Sequence, residues 1–115
     1  MQYILLIYDN ENAFDAAPKD KAEKVMGEFF AYTQAIKKAG VLVSSNRLQR
    51  TSAASTVTIA GGKTQVLDGP FAETKEHLGG YYLIDVPNLD EAIAWAARCP
   101  GAAIGKIEVR PIWVM

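Results

Sequence analysis

Residues 81–101, YYLIDVPNLDEAIAWAARCPG, carry a strand, its stop, a capped helix and the end of that helix in one run. Tyr81 to Val86 is rich in aromatic and β-branched residues, and Pro87 closes the strand because proline has no N–H for the ladder. Asn88 is placed to cap a helix, with Glu91 three residues on in the manner of a capping box. Leu89, Ala92, Ile93 and Ala96 follow helical spacing and supply a buried stripe, and Cys99-Pro100-Gly101 ends the element. The run KIEVRPIWV, Lys106 to Val114, reads as the next strand. A strand, a helix and a strand in this order make one βαβ unit.

The N-terminal half shows the same pattern. YILLIY, Tyr3 to Tyr8, is apolar on both alternating faces, so this strand is buried on both sides. After the polar bend DNENAFDAA, Pro18 fits the first turn of a helix, where its missing N–H costs nothing. Ala22, Val25, Met26, Phe29, Thr33 and Ile36 form its apolar stripe, and Gly40 stops it. VLVSSNRLQ reads as a second strand. STVTIAGGKTQVLD reads as a hairpin turning at Gly61-Gly62, in a register that pairs Val57 with Val66.

The order β-α-β, hairpin, β-α-β predicts an α+β chain with the ferredoxin-like split βαβ, an extra hairpin strand in the middle, and residues 1–115 as a single domain. Right-handed crossovers put both helices on one face of the sheet. The other face then has no helix to cover it, and a second copy of the sheet is the simplest cover. The expectation is therefore a homodimer with sheets facing each other, a dimeric α+β barrel.

Composition limits the function classes. Half of the 115 residues are hydrophobic and 22% are charged, ordinary for a folded domain. Twelve basic against thirteen acidic side chains give a formal charge of −1, with no block of one sign, so nucleic acid is not an expected partner. The apolar run near the start is too short for a bilayer and lacks the flanks of a signal peptide, so no membrane association and a cytoplasmic location are expected. The one cysteine, Cys99, has no partner for a disulfide or a CxxC pair and reads as a packing residue at a helix end. There is no Walker loop, GxGxxG, GxSxG or His/Cys cluster at metal spacing, and no metal or other cofactor is called for.

Two polar groups remain. DGPFAETKEHLGGYY, Asp68 to Tyr82, holds Asp68, Glu73, Lys75, Glu76 and the sole histidine, His77, after the strong turn Asp68-Gly69-Pro70. Phe71 is expected to plug the core beneath that turn. In the last strand Lys106, Glu108 and Arg110 alternate with Ile107, Val109 and Pro111, which puts the charges on the face away from the helices. Either Glu108 and Arg110 pair and fix a dimer seam, or they line a pocket for a small polar or anionic ligand. In the second reading Glu76, Glu108 or His77 supplies acid/base chemistry, while Asp68, Glu73, Lys75 and Arg110 bind the ligand. Whether the chain is an enzyme stays open. Trp113 is expected in the dimer seam.

LDGPFAETKEHLGGYYLIDV, LDEAIAWAARCPG and IEVRPI together resemble the DGPF subgroup of the YCII-related family. The resemblance extends from QYILLIYD to the final strand and implies a dimeric ferredoxin-like α+β barrel. It also implies shared polar positions at Asp68, Glu73, Lys75, Glu76, Glu108 and Arg110, and an accessory or regulatory link to an extracytoplasmic-function sigma factor as the alternative to metabolite binding. His77 follows the motif rather than forming part of it. The broader family is associated with a His-Asp pair whose histidine lies on the first helix. No histidine stands between Pro18 and Gly40 here, and the acid near the end of the second helix is replaced around Cys99-Pro100.

Overall fold

The computed structural model describes residues 1–72 and 74–115. Its strands are β1 (Gln2–Asp9), β2 (Leu42–Arg47), β3 (Ser55–Ala60), β4 (Lys63–Asp68), β5 (His77–Asp85) and β6 (Lys106–Pro111). The helices are α1 (Glu11–Ala16), α2 (Lys19–Lys38), α3 (Leu89–Arg98) and α4 (Gly101–Ile104). Four strands form one antiparallel sheet in the order β2-β5-β1-β6, the arrangement a split βαβ requires. Since β1 and β2 both run antiparallel to β5, they are parallel to each other and end at the same edge of the sheet.

One face of this sheet holds the core. Tyr3, Leu5 and Ile7 of β1 alternate inward with Tyr82 and Ile84 of β5 and meet Tyr32 and Ile36 of α2 and Ala92, Ala96 and Cys99 of the α3 end. Both long helices therefore lie on one face, as the crossovers predict. Three polar tips are satisfied within this layer. The Tyr32 hydroxyl donates to the Trp95 carbonyl at 2.8 Å, and the Thr33 and Tyr82 hydroxyls share a hydrogen bond at 2.7 Å. Tyr32 and Tyr82 also meet edge to face, with centroids 5.2 Å apart. On β6, Ile107 and Val109 pack against this core, whereas Lys106, Glu108 and Arg110 face the open side.

Local signals act where they were read. The Asn88 side chain accepts from the Glu91 N–H, and Gly61 and Gly62 take φ of 59° and 74°, the left-handed values of a tight hairpin turn. Val57 pairs with Val66. Cys99 is buried, and burial pushes its thiol up to about 11, so it stays protonated and unreactive at neutral pH.

Four features differ from the expectation. The hairpin adds no strand to the main sheet: β3 and β4 pair only with each other, as an arm. Just before it, Glu11 holds the turn Thr51–Ala53 by accepting from both the Thr51 N–H and its hydroxyl. Phe71 follows the arm and is 91% exposed, beyond reach of the core. The last strand stops at Pro111, which has no N–H to extend the ladder, although Ile112 donates one further bond to Gln2. The bend after β1 holds a further short helix, α1, whose start is capped by the Asn10 side chain.

Candidate ligand-binding cavity

The residues flagged in the sequence do not converge on one pocket. Asp68 ends β4 on the arm, opposite Ser55. Glu76 forms an ion pair with Lys106 at the start of β6. Glu108 and Arg110 pair with each other at 3.8 Å on the open face of the sheet, where burial, then the charge of Glu108, pushes the Tyr8 hydroxyl above its ordinary value, opposed by Arg110. Both pairs are largely exposed, and exposed pairs contribute little to stability. Lys75 is exposed, and Glu73 lies outside the described residues. None of Asp68, Lys75, Glu76, Glu108 or Arg110 lines the large cavity described next. Nor does His77, although it adjoins two residues that do: its Cα pairs with Asp9, and its Nδ1 accepts from the Glu11 N–H at 3.4 Å.

That cavity, about 530 Å³, opens on the helix side of the sheet between α1, α2 and the edge where β1 and β2 end. This is within the size range of small-molecule sites. Its apolar wall is built from Phe14 of α1 and from Val25, Met26, Phe29 and Phe30 of α2, and the backbone of Gly79-Gly80 forms the strand side. Because β1 and β2 end together, Asp9 and Arg47 reach the same rim. A bulge sharpens this edge. Ile7 pairs with Gly80 and Tyr8 with Leu78, so Gly79 is the extra residue.

The charges at the rim are unequally satisfied. Arg50 pairs with Asp15. Glu11 is bound to Thr51, whose hydroxyl and N–H hold its carboxyl below the ordinary value, assisted by His77 and Arg50. Arg47 has no ion pair among the described residues. Its guanidinium lies 5.6 Å from the centre of the Phe14 ring and touches the Met26 sulfur at 3.5 Å. Asp9 likewise has no side-chain hydrogen bond or ion pair among the described residues. Burial, then the charge of Glu11, pushes its carboxyl up, opposed by His77 and Arg47.

Sequence reading missed Asp9, Glu11, Phe14 and Arg47 as site residues. The available signal was topological: two strands parallel in one sheet, one ending in an acid and the other in an arginine, bring those residues to one edge. Among the described residues no group of three or more His, Cys, Asp or Glu side chains is placed to hold a metal ion. Among those residues, too, no helix is long and apolar enough to cross a membrane.

The profile of the YCII-related domain matches residues 1–115. The chain belongs to the YCII-related domain family. A relative is an uncharacterized protein of Rhizobium meliloti (strain 1021), 43% identical over 114 residues, covering 97% of this chain and 92% of the relative. Among solved structures, a 5-chloro-2-hydroxyhydroquinone dehydrochlorinase from Burkholderia phenoliruptrix AC1100, in complex with 2,5-dihydroxybenzoquinone, superposes with a TM-score of 0.57. Identity is 11%, over 98% of this chain and 94% of the dehydrochlorinase. At that identity the likeness shows the fold, and YCII-related membership and the ferredoxin-like α+β architecture thus agree.

Proposed function

We propose that this YCII-related protein binds a small molecule with an apolar, ring-sized body and one anionic group in the cavity at the ends of β1 and β2. The observation that carries this reading is the Arg47 guanidinium, without a carboxylate partner among the described residues, at the rim of a cavity of about 530 Å³. An arginine in this setting offers a planar fork of donors to a carboxylate or phosphate. The Phe14, Met26, Phe29 and Phe30 surfaces would take the body of the ligand and bury apolar area on binding. A small molecule bound on the same fold in the dehydrochlorinase complex supports a reading of this class.

The second part of the proposal is that two copies associate through the open face of the sheet. Ile4, Leu6, Tyr81 and Leu83 form its half-exposed centre, and the Glu108–Arg110 and Glu76–Lys106 pairs lie along β6 at its edge. In this reading the charged motif residues clasp the dimer and the ligand site lies on the opposite side of each sheet.

The test is a thermal-shift and NMR screen of small carboxylic acids against the wild type, Arg47→Ala and Arg110→Ala. Ligands present at about 100 times their dissociation constant stabilise a native domain by about 2.7 kcal/mol, enough to detect. Binding lost in Arg47→Ala and kept in Arg110→Ala is the expected result. Loss only in Arg110→Ala would move the site to the β6 face.

A further inference from the structure

Resting on the cavity reading above, we propose that Asp9 is a proton-transferring residue, and that the bound molecule is a 2-oxo acid whose keto and enol forms the protein interconverts. Five charged side chains line this cavity, Asp9, Glu11, Lys37, Arg47 and Arg50, and two are already engaged: Glu11 with Thr51, and Arg50 with Asp15. Asp9, Lys37 and Arg47 have no ion pair among the described residues, one base and two cations lining the same cavity, and of the two cations Arg47 acts on the Asp9 carboxyl. Gly79, the bulged residue, lies beside this base: a Cβ there would meet Asp9 Oδ1 at 3.4 Å, ordinary van der Waals contact. Bulges recur beside reactive groups because they re-aim a side chain without ending the strand.

A carboxylate and a guanidinium lining one cavity with an apolar wall, neither of them ion-paired among the described residues, suit removal of a proton from carbon next to a carbonyl. As the C–H bond breaks, an Asp9 oxygen forms the new O–H bond and the electron pair moves into the carbonyl. The negative charge leaves Asp9 and appears on the enolate oxygen, where Arg47 and the ligand's own position beside it favour it. Return of the proton to oxygen gives the enol, and return to carbon gives back the ketone. Atoms and charge balance within the ligand and Asp9, with no oxidant, reductant or further reactant. The raised carboxyl of Asp9 brings the base closer to the working pH, which strengthens proton transfer. The groups facing it are Glu11 from α1, His77 from β5 and Arg47 from β2.

The test uses phenylpyruvate, which has the ring, the carboxylate and an acidic C–H beside a ketone, and 3-phenylpropionate, which lacks the ketone and reports binding alone. The full chain is incubated with phenylpyruvate in D2O, and proton NMR follows deuterium entry at the carbon beside the carbonyl. The wild type should exceed the buffer rate and become faster as pH rises through the Asp9 titration. Asp9→Asn should bind 3-phenylpropionate as the wild type does while exchange falls by about a hundredfold or more, the usual contribution of a positioned acid or base. Binding of 3-phenylpropionate with exchange at the buffer rate, or undiminished exchange in Asp9→Asn, overturns the role of Asp9 and leaves the cavity reading standing. Failure of both probes to bind overturns the ligand class and the role of Asp9 together.

Discussion

Replacing Gly105 by alanine would drive a Cβ onto the carbonyl oxygen of Tyr8, a backbone atom that cannot swing aside as a side-chain tip can. Gly105→Ala should therefore cost about 3 kcal/mol or more, the upper part of the range for overpacking. Urea denaturation measures this, and a loss under about 1 kcal/mol would mean that the joint between α4 and β6 gives way easily. Asp9 tests electrostatics at the same edge. Its folded-state carboxyl is raised above the ordinary 3.8, first by burial. Below 3.8 it is protonated in both folded and unfolded chains and has no effect. As pH rises through the raised folded value the native state must hold a charge that the unfolded chain holds more easily, so stability falls and stays lower at neutral pH. Asp9→Asn should accordingly melt higher than the wild type at pH 7, with the gap closing as pH drops toward 3.5. Glu11 runs the other way. Its carboxyl is held low by Thr51, so its contribution is present above the ordinary carboxylate range and fades in acid. An Asp9→Asn melting temperature below wild type at pH 7 would show that Arg47 and His77 outweigh burial there.

At the scale of elements, the β3–β4 arm stands apart because its two strands bond only to each other. Isolated two-stranded ribbons are marginally stable in water. The arm has Val57 and Val66 side by side on one face, with Ile59 beside them 73% exposed. Hydrogen exchange should find β3 and β4 amides protected far less than those of β1 and β5, whose opening requires the core to open. Equal protection would mean that something covers the arm in solution. The internal register of this arm was legible in the sequence, because a Gly-Gly turn and alternating side chains are local facts. Its placement was not, because placement is a matter of contacts between residues far apart in sequence, such as that of Glu11 with Thr51 forty residues away. The same division holds for the site. Ile107 and Val109 inward with Glu108 and Arg110 outward follows from alternation along one strand. The placement of Asp9 and Arg47 on one cavity follows from strand order, which no local pattern reports. The charged loop from Asp68 to His77 drew notice by its density of polar groups, and that density is spread between the arm, an ion pair to β6 and a hydrogen bond from the Glu11 N–H.

The whole chain measures 48 × 44 × 18 Å, about the thickness of one helix layer on one sheet. Its radius of gyration is 16.1 Å, against about 13–14 Å for a compact domain of this length, the excess reflecting this flat form and its arm. A central strand that is apolar on both faces is then covered on one face only. Tyr3, Leu5 and Ile7 are in the core, and Ile4 and Leu6 remain half exposed on the other side, opposite Leu83 and Tyr81. Single-layer antiparallel sheets tolerate an open face when it is polar; here its centre is aliphatic and aromatic. In the proposed dimer a second copy would set Ile4 and Leu6 against the same residues of its neighbour, while Glu108 and Arg110 could exchange partners across the seam without net change in charge. Sedimentation equilibrium should therefore give a dimer at micromolar concentration, and Leu6→Lys should give a monomer, since it places two ammonium groups in the centre of a twofold contact. Arg110→Ala should weaken the dimer less than Leu6→Lys, because its pair with Glu108 is largely exposed in the single chain. If the wild type sediments as a monomer, the open face must be stable in water alone. The apolar alternation of Tyr3 to Tyr8 would then have to serve a partner of a different kind.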